Sequence, residues 1–281
     1  MRRAGRIILT VLSVLILLAA VVVWLFGGYV LAAYNYTQAT PAVRELGEQA
    51  RLSLLGQRYY YAAAPTIVDK PAIQRACAAV AAEGLLGCFT GRIYLLDVES
   101  PEFRSETPVT AAHEMLHAAY DDLSEPERRR VEGLLQAELD HRQDPKVNER
   151  LNKYQDRESQ LDEAFAILGS EAPGGSLLPE LREEFDQYFT DREAIVATNQ
   201  RFQKAFDDLE SRINGLNGQL AQRKQQLDEL LAEDNIAAYN AQVNPYNNLV
   251  KEHNDLVRQY NDLGERFNRA IGGEPRNVEQ R

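Results

Sequence analysis

The sequence is poor in the residues that build many metal sites and covalent active sites. Its 281 residues include only 2 cysteines and 4 histidines. Two thiols are too few for a zinc site made of cysteines or for a disulfide-rich scaffold. With so few histidines, no Ser-His-Asp or Cys-His arrangement is evident, and the sequence contains no P-loop and no chain-wide repeat.

Positive charge is also scarce. The chain has 31 Lys and Arg residues against 42 Asp and Glu residues, which gives a net charge of −11. Three of the arginines, Arg2, Arg3 and Arg6, come before a long apolar run, so the remainder is more acidic still. This balance argues against a nucleic-acid partner and against binding to a broadly anionic surface.

The most informative segment is residues 113–117, which read His-Glu-Met-Leu-His. Residues four apart lie on one face of an α-helix, so His113 and His117 can bind one Zn²⁺. Glu114 between them can act as general base towards the water that the metal activates. With 4 histidines in 281 residues, a chance match to this pattern is rare. The alternative is that both histidines lie on a solvated helix face.

The residues around this motif predict a helix of its own. Thr107 is a good N-cap and Pro108 suits the first helical position, so the helix should begin at residue 108. An apolar stripe at a spacing of three to four residues indicates that one side is buried: Val109, Ala112, Leu116, Ala119 and Leu123. The two imidazoles border this stripe, at the edge of the predicted core.

A catalytic zinc usually has three protein ligands, so a third must come from later in the chain. Glu163 is favoured because small residues flank it in segment 161–169 and would allow its helix to approach closely. Glu138 and His141 are alternatives, and most glutamates are simply solvated. The metzincin pattern is excluded, because Tyr120 and Leu123 occupy its Gly and His positions.

The histidine motif together with a later Glu-x-x-Ala at 163–166 resembles the gluzincin branch of zinc metallopeptidases over roughly residues 57–190. The family's longer glutamate motif often ends in Asp, where this chain has Ile167. The resemblance implies an α+β, mainly helical fold with a small sheet, a zinc ion and a peptide or protein substrate. Segments 87–95 and 110–118 are also similar to a group of membrane-anchored bacterial proteins, which supplies no substrate.

Gluzincins commonly have a β-strand before the metal helix, and its edge aligns the substrate. Segment 92–98 is rich in β-branched and aromatic residues and predicts such a strand, to which an extended peptide could add. An ordinary buried strand is the alternative reading. Segments 59–61 and 66–68 are further strand candidates.

Enzymes of this kind also need a donor for the oxyanion that develops during the reaction. Tyr188, Tyr154 and His141 are candidates by residue type, and Tyr188 is favoured because it follows the glycine-rich loop at 172–175.

The N-terminal segment predicts a membrane anchor. Residues 7–26 contain no charge and are long enough to span a bilayer. The arginines before them predict a cytoplasmic N-terminus, and hence a single-pass protein of the cell membrane with an extracytoplasmic C-terminal domain. A cleaved signal peptide is the alternative.

Cys77 and Cys88 agree with export, because an oxidising compartment allows a disulfide. The bond would join a predicted helix at 71–83 to the strand that begins at Phe89. Two buried thiols are the alternative.

The last third of the chain predicts an antiparallel helical hairpin. Apolar residues follow a coiled-coil spacing at Phe202, Phe206, Leu209, Ile213, Leu216 and Leu220, and a second seam runs from Tyr239 to Tyr260. Segment 232–235 resembles a turn, and Pro245 is expected to kink or delay the second helix. The hairpin could bind a partner protein, mediate self-association or cover the active-site cleft.

The sequence therefore predicts an anchor at 1–33, a zinc-metallopeptidase-like domain at 34–190 and a helical extension at 191–281. The expected activity is hydrolysis of peptide bonds, with Glu114 as general base and His113, His117 and Glu163 as zinc ligands. One alternative is a non-catalytic coiled-coil scaffold with a structural or vestigial zinc site. Another is a zinc hydrolase of non-peptide amides, because the motif does not fix the bond that is cleaved.

Overall fold

The computed structural model describes residues 2–78 and 86–271, with side chains from residue 12 onwards except those at 24 and 25. The chain is mainly helical, as expected, and its described helices are α1 (Arg2–Gln38), α2 (Pro41–Gln49), α3 (Leu54–Ala62), α4 (Lys70–Ala76), α5 (Thr107–Asp121), α6 (Glu125–Arg142), α7 (Pro145–Leu151), α8 (Arg157–Ser170), α9 (Pro179–Asp186), α10 (Arg192–Ala232) and α11 (Ile236–Ile271). The described strands are β1 (Thr66–Val68), β2 (Gly87–Phe89) and β3 (Ile93–Leu96). The chain divides into two compact units, of which the first extends to Ala197 and the second contains residues 98–104 and the chain from Thr198 onwards.

Helix α1 contains the predicted anchor. In the part of the chain that the structure describes, no single helix is long and apolar enough to cross a membrane. The limbs Leu12–Val23 and Phe26–Gln38, bent by 56°, together have the required length and composition. The end of α1 packs against α3 within the first unit: Ala32 is buried, and Asn35 Nδ2 donates to the Tyr61 carbonyl oxygen at 2.8 Å.

The three strands form one sheet in the order β1-β3-β2. Strand β1 pairs with β3 in parallel, and β2 pairs with β3 antiparallel, with Cys88 opposite Tyr94. The strands predicted within 66–68 and 92–98 are therefore confirmed. The prediction that the edge of the 92–98 strand is open to a peptide is wrong, because neighbouring strands occupy both edges of β3. Strand β2 lies at the border of the described sheet.

The strand prediction for residues 59–61 is also wrong, because these residues belong to α3. Ser53 caps that helix: its hydroxyl oxygen accepts a hydrogen bond from the Gly56 N–H. Tyr60 and Tyr61 are buried. Their β-propensity is overridden by the cap and by packing against the core.

The predicted disulfide between Cys77 and Cys88 is present, with the two Cα atoms 5.9 Å apart. Cys77 caps the C-terminus of α4, and Cys88 is the central residue of β2. Helix α4 confirms the first part of the helix predicted at 71–83, whereas residues 79–83 lie outside the described residues. The disulfide thus connects α4 to the strand at the border of the sheet.

Helices α5 and α8 form the centre of the first unit. Helix α5 begins one residue earlier than predicted, at Thr107, with Glu106 as its N-cap. The two helices approach closely at Gly169, where an added Cβ would lie 2.5 Å from Leu116 Cδ1. A side chain at this position would force the helices apart, and glycine permits the contact.

The second unit contains the predicted helical hairpin. Ile213, Leu216 and Leu256 form a buried cluster between α10 and α11. The rings of Phe206 and Tyr260 lie 5.8 Å apart and those of Phe202 and Phe267 lie 5.1 Å apart, so the paired positions run in opposite directions and the two helices are antiparallel. The turn residue Asp234 has a φ of 55°. Helix α11 runs through Pro245 without interruption.

Candidate metal centre

Three of the predicted ligands meet where α5 faces α8. His113 and His117 are one helical turn apart on α5, and Glu163 lies on α8. The Nε2 atoms of the two histidines are 3.2 Å apart. Glu163 Oε2 lies 3.8 Å from His113 Nε2 and 3.6 Å from His117 Nε2. The structure therefore brings together the three residues that the sequence indicated as metal ligands.

The triangle formed by these three atoms has the dimensions of a metal site. Zinc binds nitrogen and oxygen at about 2.1 Å, which places the ligand atoms of a tetrahedral site about 3.4 Å apart. The observed separations of 3.2, 3.6 and 3.8 Å bracket that value. The side chains are also shielded from solvent, with exposed fractions of 13%, 14% and 8% for His113, His117 and Glu163. This group could hold a metal ion.

Each histidine has a carboxylate on its other ring nitrogen. His117 Nδ1 lies 2.8 Å from Asp162 Oδ1. His113 Nδ1 lies 3.5 Å from Glu171 Oε1 and 3.5 Å from the Ser170 hydroxyl. Carboxylates at these positions favour the tautomer with the proton on Nδ1, which leaves Nε2 free to bind a metal. Such partners are typical of histidine ligands in metalloproteins.

Glu163 also accepts hydrogen bonds from two other side chains. Arg150 NH2 donates to Glu163 Oε1 at 3.1 Å, and the Tyr154 hydroxyl donates to Glu163 Oε2 at 2.9 Å. The second guanidinium nitrogen of Arg150, NH1, donates to Glu171 Oε2 at 2.6 Å. The guanidinium thus bridges Glu163 and the carboxylate that faces His113.

Glu114 lies beneath the edge strand of the sheet. Its side chain is buried, and its Cγ would be 3.1 Å from a Cβ added to Gly87 of β2. The same added atom would lie 2.6 Å from Thr110 Cγ2. The absence of a side chain at Gly87 therefore allows β2 to lie directly against the face of α5 that carries Glu114.

The protonation of the centre reflects its burial and its opposing charges. Burial lowers the pKa of His113, but Glu163 and Glu171 outweigh it and raise that pKa to about 9. The pKa of His117 is likewise raised against the effect of burial, by Asp162 and Glu163. For Glu163, burial acts to raise the pKa, and the two imidazoles lower it well below its usual range. The carboxylate is therefore ionised, as a metal ligand must be.

Glu114 differs from Glu163 and Glu171, whose pKa values are lowered, because its own pKa is raised. Burial is the main cause, and the charges of Glu163 and Asp162 add to it, although the two histidines act in the opposite direction. A carboxyl group with a raised pKa accepts a proton more readily near neutral pH, which suits a general base.

Two of the other predicted site residues, Tyr188 and His141, make no described hydrogen bond to this centre. Tyr188 is buried in the core, where its hydroxyl donates to Glu184 Oε1 at 3.2 Å and its ring packs against Phe165. Of the three oxyanion candidates, Tyr154 is the one whose described hydrogen bonds include a residue of the metal centre. His141 lies exposed near the C-terminus of α6.

Glu138, the alternative third ligand, has a structural role. It is fully buried, and its carboxylate accepts hydrogen bonds from Arg142 Nε at 2.9 Å and from the Leu178 backbone N–H at 2.8 Å. The carboxylate thus accepts hydrogen bonds from the N-cap residue of α9 and from the last side chain of α6. It is not part of the histidine cluster.

No family model, curated protein or solved structure matches this chain.

The sequence did not single out Asp162, Arg150 or Glu171. The adjacency of Asp162 to the predicted ligand was an available signal, because a helix turns by only about 100° from one residue to the next. No local sequence pattern indicates the roles of Arg150 and Glu171, since these roles depend on how α7 and the end of α8 pack against α5.

Proposed function

We propose that this protein is a zinc-dependent hydrolase of peptide bonds, anchored to the cell membrane with its catalytic domain on the extracytoplasmic side. The observation that supports this most directly is the triangle of His113 Nε2, His117 Nε2 and Glu163 Oε2 beside the buried Glu114. Three protein ligands leave a fourth position open, as in catalytic zinc sites and unlike closed structural ones.

When bound, zinc would supply a Lewis acid that lowers the pKa of a coordinated water molecule and polarises the substrate carbonyl. His113, His117 and Glu163 would hold the ion, while Asp162 and Glu171 orient the two imidazoles. Glu114 would accept the proton of the attacking water and return it to the leaving nitrogen as the carbon–nitrogen bond breaks. Water is thus added across the amide, and no other reactant is required.

Tyr154 fits the position of an electrophilic partner better than Tyr188 does. Its hydroxyl is 2.9 Å from Glu163 Oε2, whereas that of Tyr188 is bonded to Glu184 in the core. A phenol beside the ligand can donate a hydrogen bond to the oxygen on which negative charge develops. We therefore assign this role to Tyr154.

Strand β2 offers a place for an extended substrate. Leu96 N–H donates to the Leu86 carbonyl and Thr90 N–H to the Arg92 carbonyl, so residues 86 and 90 point their backbone groups towards β3. In an antiparallel ladder the intervening Gly87 and Phe89 then point theirs to the outer edge. A peptide that paired with this edge would lie beside Glu114.

The deciding experiment compares the full-length protein with Glu114→Gln in detergent. The parent should bind one zinc ion per chain and hydrolyse a quenched-peptide library in a manner that chelation abolishes. The variant should keep the zinc and lose hydrolysis by about 10²- to 10⁴-fold. A parent that binds no zinc under metal-replete conditions would refute the proposal.

A zinc-loaded parent that is inactive on peptides but hydrolyses other amides in a Glu114-dependent manner would assign the centre to a non-peptide substrate.

The alternative is a scaffold in which the hairpin of α10 and α11 binds a partner or a second copy of the chain. The observation that favours it is the size of the hairpin, which forms most of the second unit and carries its own buried seam. The scaffold should keep its partner after Glu114→Gln, whereas the hydrolase should lose its function.

A further inference from the structure

Arg150 occupies a position that the hydrolytic chemistry does not itself require. It lies on α7, whose Val147 and Leu151 pack against Ala164 and Ile167 of α8. This packing presents the guanidinium to the side of α8 that carries Glu163. About a third of the Arg150 side chain, 38%, remains exposed.

The guanidinium makes two distinct ion pairs. NH2 lies 3.1 Å from Glu163 Oε1, and NH1 lies 2.6 Å from Glu171 Oε2. Glu171 presents its other oxygen, Oε1, to His113 Nδ1 at 3.5 Å. One planar group therefore contacts one predicted ligand directly and a second ligand through a single carboxylate.

We infer that Arg150 is a positioning residue, which holds Glu163 as a ligand through one oxygen and fixes the ring of His113 through Glu171. This inference rests on the proposed metal centre. Arg150 occupies Oε1 of Glu163, so that Oε2, the oxygen that faces the two imidazoles, is the one presented to the metal. A ligand that binds through one oxygen leaves the fourth position of a tetrahedral ion to water and substrate.

A lysine cannot replace this arrangement. The guanidinium presents several N–H donors in a fixed plane, which matches two carboxylates at once, whereas an ammonium is a single point charge on a flexible chain. Arg150→Lys therefore keeps the charge near the centre and removes the bridge. This matters because a positive charge by itself repels a divalent cation, and a variant that removed the charge would mix the two effects.

The test measures zinc affinity by competition with a chromogenic chelator, on the full-length protein in detergent. Arg150→Lys should weaken zinc binding by about 10- to 100-fold, the usual effect of losing a group that orients metal ligands. Arg157→Lys is the matched control, because Arg157 is exposed and its described hydrogen bonds go to the side-chain oxygens of Gln136 and Gln160, outside the centre. The control should bind zinc as the parent does.

Cobalt gives a second readout that a purely structural role would not change. The Co²⁺-loaded parent should show the intense visible absorption of a four-coordinate ion. In Arg150→Lys, Glu163 is free to bind through both oxygens, so this absorption should weaken. The thermal midpoint of the metal-free proteins shows whether the variant is folded.

A nearly isosteric change at Glu171 keeps the inference testable if Arg150→Lys does not fold. Glu171→Gln should also weaken zinc binding. The double variant should lose less than the product of the two single effects, because both changes break the same bridge.

The outcomes separate the two proposals. Zinc affinity unchanged in both Arg150→Lys and Glu171→Gln, in a parent that binds zinc, would overturn the positioning role and leave the hydrolase proposal intact. A parent without zinc would overturn both.

Discussion

The Nδ1 atom of His117 lies 2.8 Å from Asp162 Oδ1, on the residue that immediately precedes the predicted ligand Glu163. Helix α8 therefore contributes two adjacent carboxylates to α5, one to the metal position and one to the back of a histidine that faces it.

Asp162→Asn should weaken zinc binding by about 10- to 100-fold, because the amide is a poorer acceptor for the Nδ1–H and no longer selects the tautomer. The measurement is zinc affinity by chelator competition. Asp140→Asn is a suitable control, since Asp140 is exposed and bonds to Gln136 at 2.8 Å. Equal affinities in the two variants would show that Asp162 does not orient His117.

Glu163→Gln should affect zinc binding, whereas Glu138→Gln should affect the stability of the fold. The first removes a ligand and should abolish stoichiometric zinc. The second leaves the partly buried Arg142 and the Leu178 N–H with a weaker partner, which should lower the free energy of unfolding by about 1–3 kcal/mol while zinc content stays unchanged. Elemental analysis and denaturant unfolding measure the two effects. Loss of zinc in Glu138→Gln, with the fold intact, would contradict the assignment.

Gly87→Ala should destabilise the protein by about 1–3 kcal/mol, because the new methyl group would meet Thr110 and Glu114. Hydrolysis should fall as well, since Glu114 must shift. Gly133→Ala is the comparison, because nothing lies within 4 Å of the added atom and the position is inside α6. Its free energy of unfolding should rise by about 1 kcal/mol, since alanine favours the helix more than glycine does. Urea unfolding of the two variants checks both signs, and a Gly87→Ala protein as stable as the parent would rule out the close contact.

Reduction of the Cys77–Cys88 disulfide should lower the free energy of unfolding by about 2–4 kcal/mol, since the closed loop restricts the unfolded chain. Guanidinium unfolding with and without a phosphine reductant measures the difference. A variant with alanine at both positions should show the reduced stability and no further response to reductant. An unchanged midpoint after verified reduction would show that the bond is dispensable.

The metal-free protein should lose stability as the pH rises from about 6.5 to 9. The pKa of His113 is raised to about 9 from 6.5, so its contribution is fully present below pH 6.5 and is lost as the pH rises through the folded-state value. With zinc the sign reverses, because protons compete with the metal for the imidazoles. Thermal midpoints measured between pH 6 and 9.5, once with chelator and once with zinc, test how stability depends on pH in the two forms. His113→Gln should flatten the chelator curve, and a parent curve as flat as that of the variant would contradict the prediction.

Local periodicity accounts for what the sequence could predict. The spacing of His113 and His117 fixes them on one helix face, and the apolar seam around Ile213 and Leu256 implies a helical hairpin. The strand prediction at Tyr60 and Tyr61 is wrong, because β-propensity is weak against a capped helix with a buried aromatic face. The role of Arg150 could not be predicted from the sequence, since nothing near this residue shows that α7 packs beside α8. Strand β3 is also central in the described sheet, with β2 at its border, because strand order is a property of long-range pairing.

The three predicted ligands come from two helices that are far apart in sequence, α5 and α8, which also pack closely where Gly169 leaves room for Leu116. In the unfolded chain only the two histidines of α5 are close together, and two ligands bind zinc weakly. Under the proposed function, capture of the metal would therefore be a late event, which would follow the docking of α8. An excess of zinc would then not rescue a chain whose helices have failed to pack, and a bound ion would report that folding is complete.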